Sequence, residues 1–239
     1  MGRGSHEKEY KKVQPYDRKI QYQKKKKTKN VLDASIPFDD YVTIDLSKSN
    51  TQLAHLDLSD TGQLSQFIYQ HLENHHAHVA YGGYLEERTF YKSQQFIGEA
   101  ASNQRNIHLG IDFWCKENTP VLAAASGKIH SFQNNQKNGD YGPTIILEHQ
   151  IQGEIFYTLY GHLSLQSIKS IHIGQSIVAG DQIGTLGEKS VNGGYPPHLH
   201  FQIIEDIQEY HGDYPGVCSR EDLPFYKDNC PDPVKFLQL

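Results

Sequence analysis

Five side chains in the middle and later part of the chain have the types and spacing for metal-assisted hydrolysis. His108 and Asp112 stand four apart in His108-Leu109-Gly110-Ile111-Asp112. In extended backbone, residues an even number apart point to one side, so the imidazole and the carboxylate can converge. Gly110 between them admits tight local backbone or a close neighbour. Imidazole nitrogen and carboxylate oxygen are ordinary zinc ligands. His198-Leu199-His200 opens the apolar run Phe201-Gln202-Ile203-Ile204, and two residues apart on a strand places both imidazoles on one face. Pro196-Pro197 just before fixes the entry to that run. His162 follows a glycine in Tyr160-Gly161-His162-Leu163, at the end of a β-type run where loops gather. Each signal is weak alone. Together, His108, Asp112 and one of His198 and His200 give three ligands and leave a fourth position for water. Two histidines then remain to carry protons.

Other histidines read as structural. No HExxH is present, and in His71-Leu72-Glu73-Asn74-His75 the two histidines share a helical face from which Glu73 points away. That segment is expected to be an ordinary surface helix, with His75, His76 and His78 at most an adventitious metal site. His149, ending the run Thr144–His149, is expected to anchor a neighbouring loop.

The elements that must position these groups are mostly strands. Short β-type runs punctuated by turn signals begin near residue 107: Val121–Ala125, Gly127–Phe132, Thr144–His149, Ile155–Tyr160, Ile171–Val178, Gln182–Leu186 and Leu199–Ile204. Close turns between short strands predict antiparallel sheet folded on itself, not βα units. Earlier in the chain, Asp60 or Thr61 can cap a helix whose apolar stripe is Leu64, Phe67, Ile68 and Leu72, ending near His75-His76. From His211 the chain reads as a loop-like segment with four prolines, wrapping the core. The loops Gln133–Gly142, Ser164–Ser170 and Glu188–Tyr195 are the expected walls of a groove, with Asn134, Tyr141 and Tyr195 as contacts.

Composition agrees with a turn-rich β protein: 20 Gly, 10 Pro and 15 Tyr in 239 residues, with one Trp and one Met. Residues 1–30 hold 11 Lys/Arg against 3 Asp/Glu, so the rest carries 12 against 25. A basic tail, which ends in Lys24-Lys25-Lys26-Lys27 and Lys29, therefore precedes an acidic body, which argues against a nucleic-acid partner. Cys115, Cys218 and Cys230 do not make a disulfide framework; Cys218 and Cys230 can pair only in an oxidising compartment, and free, partly buried thiols are expected. No window is apolar enough to span a bilayer or to serve as a signal peptide, so a cytoplasmic location stays open.

The order H-x-G-x-D, Y-G-H-L, P-H-L-H-F resembles the lysostaphin/LytM-type zinc metalloendopeptidases over roughly residues 105–205. Spacers such as Asn118-Thr119-Pro120-Val121-Leu122-Ala123 and Ile183-Gly184-Thr185-Leu186-Gly187 agree. The resemblance implies a mainly β fold, antiparallel and β-sandwich-like with a groove, plus an N-terminal helical extension. It implies one Zn2+ held by His108, Asp112 and His200, and proton handling by His162 and His198. It also implies hydrolysis of peptide bonds in peptidoglycan stem or cross-bridge peptides. Family members carry a tyrosine shortly before the first zinc histidine, whereas Ala101–Ile107 contains none; Tyr81, Tyr84, Tyr141 and Tyr195 are the available substitutes. Gly82-Gly83-Tyr84-Leu85-Glu86-Glu87-Arg88, Gly212-Asp213-Tyr214-Pro215-Gly216 and Cys230-Pro231-Asp232-Pro233 resemble a subgroup found beside a small-molecule-kinase-like domain and an aminotransferase.

The expected organisation is a basic tail at 1–30, an extension with one helix at 31–80, a zinc metallopeptidase domain at 81–210 and a wrapping segment at 211–239, acting as a monomer on peptide or peptidoglycan. Three other readings compete. They are a zinc hydrolase of a small intracellular peptide or amide, a non-catalytic peptide-binding module of the same fold, and a phosphocarrier-like hybrid barrel, in which Asp112 would have no role.

Overall fold

In the run His198–Ile204, alternate residues have different chemistry: Leu199, Phe201 and Ile203 on one side, His198, His200 and Gln202 on the other. The computed structural model, which describes residues 30–57, 60–91 and 104–239, makes this run a strand with every residue buried. Burial on both faces is expected of a strand in the interior of a sheet covered on each side. Of the basic tail expected at 1–30, residues 1–29 lie outside the described residues.

Among the described residues twelve strands follow in order. They are β1 (Tyr41–Thr43), β2 (Val79–Gly82), β3 (Ile107–His108), β4 (Ile111–Trp114), β5 (Pro120–Leu122), β6 (Gly127–Asn135), β7 (Gly142–Ile151), β8 (Glu154–Gly161), β9 (Ser176–Ile177), β10 (Gln182–Thr185), β11 (His198–Ile204) and β12 (Val217–Cys218). Eight form one sheet in the order β1-β2-β4-β11-β8-β7-β6-β9, while β10 pairs with β5 and β12 with β3. Every pair is antiparallel except β1 with β2. The mainly β expectation holds, with that one parallel edge as the exception.

The main core lies on the Leu199-Phe201-Ile203 side. Ile111 and Phe113 of β4, Ile145 and Leu147 of β7 and Tyr160 of β8 join it. Val121 of β5 and Ile183 of β10 also join it, so the small two-stranded sheet packs on this core as a second layer. The opposite face carries His198, His200 and Gln202, with Ile146, Leu159 and Ile204 packed further along.

Several local expectations changed. Val121–Ala125 narrows to the three-residue β5, and of Ile171–Val178 only Ser176–Ile177 is strand. There the backbone turns at Gly174 (φ +84°), leaving Ile173 and Val178 exposed at 67% and 62%. A helix α1 (Thr61–His75) forms as the stripe predicts, with Asp60 accepting from Gly62 N at 2.8 Å and His76 closing it in a left-handed conformation. Its Leu64 and Ile68 pack on Ala80 and Trp114. The segment 31–80 is nevertheless more than a helix: it contributes β1 and the first half of β2 to the main sheet, and Leu32, fully buried, bridges to Val121. The last segment is partly helical, not loop-like, with α2 (Leu223–Asn229) and α3 (Pro233–Leu237), whose Phe236 and Leu237 enter the main core. Two of the four prolines, Pro224 and Pro233, sit in the first turn of these helices, where a missing N–H costs nothing. All three cysteines are free, Cys218 and Cys230 buried and Cys115 half-buried. His149 is fully buried between Ser126 O (2.9 Å) and Thr158 Oγ1 (2.7 Å), an anchor as expected.

If the extension is part of the core, Leu32→Ala destabilises the protein by about 2–5 kcal/mol, as a core Leu→Ala does. Urea unfolding followed by circular dichroism of the β signal checks this; an unchanged midpoint would make residues 31–80 an appendage.

Candidate active site

Sheet register does most of the assembly. In the β4–β11 pair, His200 lies opposite Asp112 and His198 opposite Trp114; across β8, His200 faces Gly161. His108 is brought in by the turn at Leu109-Gly110. A methyl group on Gly110 would sit 2.6 Å from Phe201 O and 2.7 Å from the His200 ring, so only glycine lets the two segments approach. Gly161 serves likewise, since a methyl there would meet the Tyr141 ring at 2.6 Å.

His108, Asp112 and His200 meet. His108 Nε2 is 2.9 Å from His200 Nδ1, and Asp112 Oδ1 is 3.2 Å from each of them. Hydrogen-bond accounting fixes what these atoms are. His108 Nδ1 lies 2.9 Å from Gly83 O, which can only accept, so Nδ1 carries the proton and Nε2 the lone pair. Gln202 Nε2 donates to Pro215 O at 3.2 Å, so Gln202 Oε1, 2.9 Å from His200 Nε2, is the acceptor there. His200 therefore presents a bare Nδ1. Two lone pairs and a carboxylate oxygen face one another with no proton between them. That repulsive arrangement suits a cation, and a tetrahedral ion with ligand bonds of ~2.1 Å separates its ligands by about 3.4 Å. Among the described residues, this is the one group of three potential metal ligands within reach of each other.

His162 and His198 sit beside the triangle, their rings 4.1 Å apart. Their Nδ1 atoms donate to Asn192 O (2.7 Å) and Pro196 O (2.8 Å), leaving Nε2 unprotonated on each. His198 Nε2 is 4.0 Å from Asp112 Oδ1, and Trp114 stacks on His198 with centroids 4.0 Å apart. All five predicted residues are thus brought into one cluster, each at most 5% exposed.

Burial sets the protonation. It lowers His108 to about 4, helped by the Arg88 charge, and it lowers His198 to about 4 against the opposing pull of Asp112. Burial with the neighbouring His198 and His200 takes His162 well below the usual histidine range. For Asp112 burial acts upward, but the neighbouring His108 and the Arg88 charge overcome it and hold the carboxyl well below its usual value. His108, His162 and His198 are therefore neutral and Asp112 charged at neutral pH.

The cleft over the cluster holds about 290 Å³. Lys137, Gly139, Asp140, Tyr141 and Tyr195 wall it, as two of the three expected loops require. Two expectations fail. The segment Ser164–Ser170 is turned away, because its 3-10 helix Leu165–Ile168 is tied to β10 through Thr185. Asn134 is off the cleft, because β6 extends to Asn135 and pairs Asn134 with Pro143. Of the four tyrosines, Tyr141 and Tyr195 line the cleft; Tyr84 donates to Cys230 O (2.9 Å) and Tyr81 stacks on Phe113. Two residues escaped the sequence reading. Arg88 donates from Nη1 to Asp112 Oδ2 at 2.6 Å and to Tyr91 OH at 3.1 Å, and both residues line the cleft. The only available hint was an arginine in the glycine-led segment preceding His108, and its partner is decided by folding.

Residues 106–211 match the model of Peptidase family M23. The match contains all five clustered residues and excludes Arg88 and Tyr91. An uncharacterized metalloprotease of Haemophilus influenzae is 33% identical over 96 residues, 40% of this chain and 18% of that protein. The DD-carboxypeptidase/endopeptidase Mpg of Neisseria meningitidis is 34% identical over 96 residues, 40% of this chain and 20% of that protein. The chain thus spans about a fifth of the length of these curated relatives. A solved structure of the catalytic domain of lysostaphin from Staphylococcus simulans has 30% identity, covering 51% of this chain and 80% of that one, at a TM-score of 0.35. No helix among the described residues is long and apolar enough to cross a membrane.

The depressed histidines give a sign to acid stability. Unfolded histidine titrates near ~6.5, whereas folded His108 and His198 titrate at about 4. Between these values the unfolded chain binds more protons, so stability falls as pH drops through this window and is regained above it. Chelator-treated protein should show its urea midpoint declining from pH 6.5 towards pH 4; a flat midpoint would contradict the assigned neutral histidines.

Proposed function

We propose that this chain is a zinc-dependent metalloendopeptidase of the M23 type, with His108, Asp112 and His200 as metal ligands and His162 and His198 as proton carriers. The observation carrying this reading is the buried triangle of two imidazole lone pairs and one carboxylate oxygen, 2.9–3.2 Å on edge, with two further unprotonated imidazole nitrogens beside it. The match of residues 106–211 to a peptidase family supports it.

When bound, zinc supplies a Lewis acid that polarises a peptide carbonyl and acidifies water. The rest falls to this chain's residues. His108 Nε2, His200 Nδ1 and Asp112 Oδ1 are aimed by the partners of their other atoms: Gly83 O, Gln202 Oε1 and Arg88 Nη1. His198 Nε2, the nearer of the two bases to Asp112, accepts the proton of the attacking water. That same proton then goes to the departing amine, either directly from His198 Nε2 or by way of His162 Nε2 next to it. Because each Nδ1–H is committed to a backbone carbonyl, every proton that moves does so at Nε2. Trp114 and the cleft walls keep solvent from these nitrogens, which keeps them neutral and able to accept.

The proposed substrate is a peptide bond in peptidoglycan stem or cross-bridge peptides. The Neisseria relative's name, DD-carboxypeptidase/endopeptidase, favours that class. The alternative is a small peptide or amide inside the cell, in keeping with the subgroup that the flanking segments resemble.

His200→Ala should lose both bound zinc and activity. His198→Ala should keep most of the zinc while turnover falls by about 100-fold or more. Metal content by atomic emission, with mass spectrometry of products from purified peptidoglycan and from a peptide library, reads both. The converse pattern would exchange the two roles. Stoichiometric zinc with no product from either source would leave a binding module.

A further inference from the structure

Arg88 is 2% exposed and lies outside the segment that matches the peptidase family. Its guanidinium reaches three partners: Asp112 Oδ2 at 2.6 Å and Tyr91 OH at 3.1 Å from Nη1, and Glu86 Oε2 at 2.9 Å from Nε. Its Cζ stands 5.4 Å from the Phe90 ring centroid. Glu86 is itself fixed, accepting from Leu46 N at 3.2 Å. The loop that bears Arg88 is tied to the strand bearing His108: Leu85 N donates to His108 O (2.9 Å), His108 N to Glu86 O (2.9 Å) and Arg88 N to Asn106 O (2.8 Å). The same loop supplies Gly83 O to His108 Nδ1. One short segment therefore orients two of the three candidate ligands.

Burying a cation without a purpose-built partner costs several kcal/mol. Here its strongest contact goes to the one aspartate oxygen that does not face the two histidines. A carboxylate with both oxygens free can hold a metal through one or two of them, and the second mode fills a position that water or substrate would need. We propose that Arg88 is a positioning residue that occupies Asp112 Oδ2, holds the aspartate to ligation through Oδ1 alone, and so keeps the remaining side of the site open to the cleft. Tyr91 and Glu86 hold the guanidinium at the angle this requires. The segment ahead of the matched region is then part of the site and not a linker to it. This inference rests on the metallopeptidase reading above.

Cobalt(II) substituted for zinc reports coordination directly, since a four-coordinate site absorbs visible light far more strongly than a five- or six-coordinate one. The wild-type protein should take up one cobalt and show intense visible bands. Arg88→Met and Arg88→Gln, checked for fold by circular dichroism and melting, should bind cobalt with clearly weakened bands, because Oδ2 is now free to ligate. Turnover of the zinc forms should fall about 10–100-fold with KM nearly unchanged. Arg88→Lys, which keeps the charge but offers a single nitrogen, should recover part of both. A folded neutral variant with the wild-type spectrum and turnover overturns the proposal, since a merely structural arginine would lower stability and leave both alone. Should neither neutral variant fold, a lysine protein identical to wild type in spectrum and turnover overturns it, because a single ammonium nitrogen cannot stand at both the Nη1 position that meets Asp112 and Tyr91 and the Nε position that meets Glu86. A wild-type protein that takes up no cobalt refutes the metallopeptidase reading itself, an outcome separate from either of these.

Discussion

Two imidazole nitrogens and a carboxylate oxygen, all bearing lone pairs, are pressed to within about 3 Å of one another in a buried pocket. Such a contact is repulsive in the absence of a cation, and it persists because the rest of the molecule holds each member from behind. Gly83, Gln202 and Arg88 fix the atoms that do not face inward. The partners of these three lie in turn on Pro215, Cys230, Glu86 and Tyr91, spread over the chain from the segment before the family match to the segment after it. Order in the pocket is therefore a property of the whole fold.

Rigid and variable parts divide accordingly. Two of the three proposed ligands come from paired strands in the middle of the sheet, where β4 and β11 are covered on both faces and a shift of register by one residue would turn His200 away from Asp112. The two proposed proton carriers sit where strand meets loop: His198 at the first position of β11 after Pro196-Pro197, and His162 in a left-handed conformation (φ +62°) just beyond β8. A positive φ is strained for a histidine, and it aims the ring across the cleft at His198. Binding groups on strands and proton-moving groups at strand ends is an arrangement that keeps geometry tight while leaving room for a substrate.

Much of the framework was legible from local pattern. The strands Gly127–Asn135, Gly142–Ile151, Glu154–Gly161 and His198–Ile204 each appear where alternating or continuous apolar runs predict them, slightly longer than the runs themselves because pairing extends past the apolar residues. The helix Thr61–His75 follows its stripe and its cap. Ile171–Val178 misled for a physical reason: its β-branched residues fit strand, yet a tight turn at Ile173-Gly174 interrupts the run, a second at Ala179-Gly180 ends it, and half of those residues are left in solvent. The parallel edge formed by β1 and β2 left no trace, because a three-residue strand and a four-residue strand carry too little periodicity to read and their pairing joins residues some forty positions apart.

By itself the sequence determined which residues have the chemistry for a metal site, since His, Asp and the x-spacing that puts side chains on one face are local properties. It also determined the β character, through alternation and turn residues. Only the tertiary structure decided which atom of each histidine faces inward, because that depends on carbonyl and amide partners contributed by distant segments. It alone excluded Ser164–Ser170 and Asn134 from the cleft and brought in Arg88 and Tyr91. A long-range ion pair leaves no periodic signature along a chain; it exists only when folding carries the two charges together and removes the water between them.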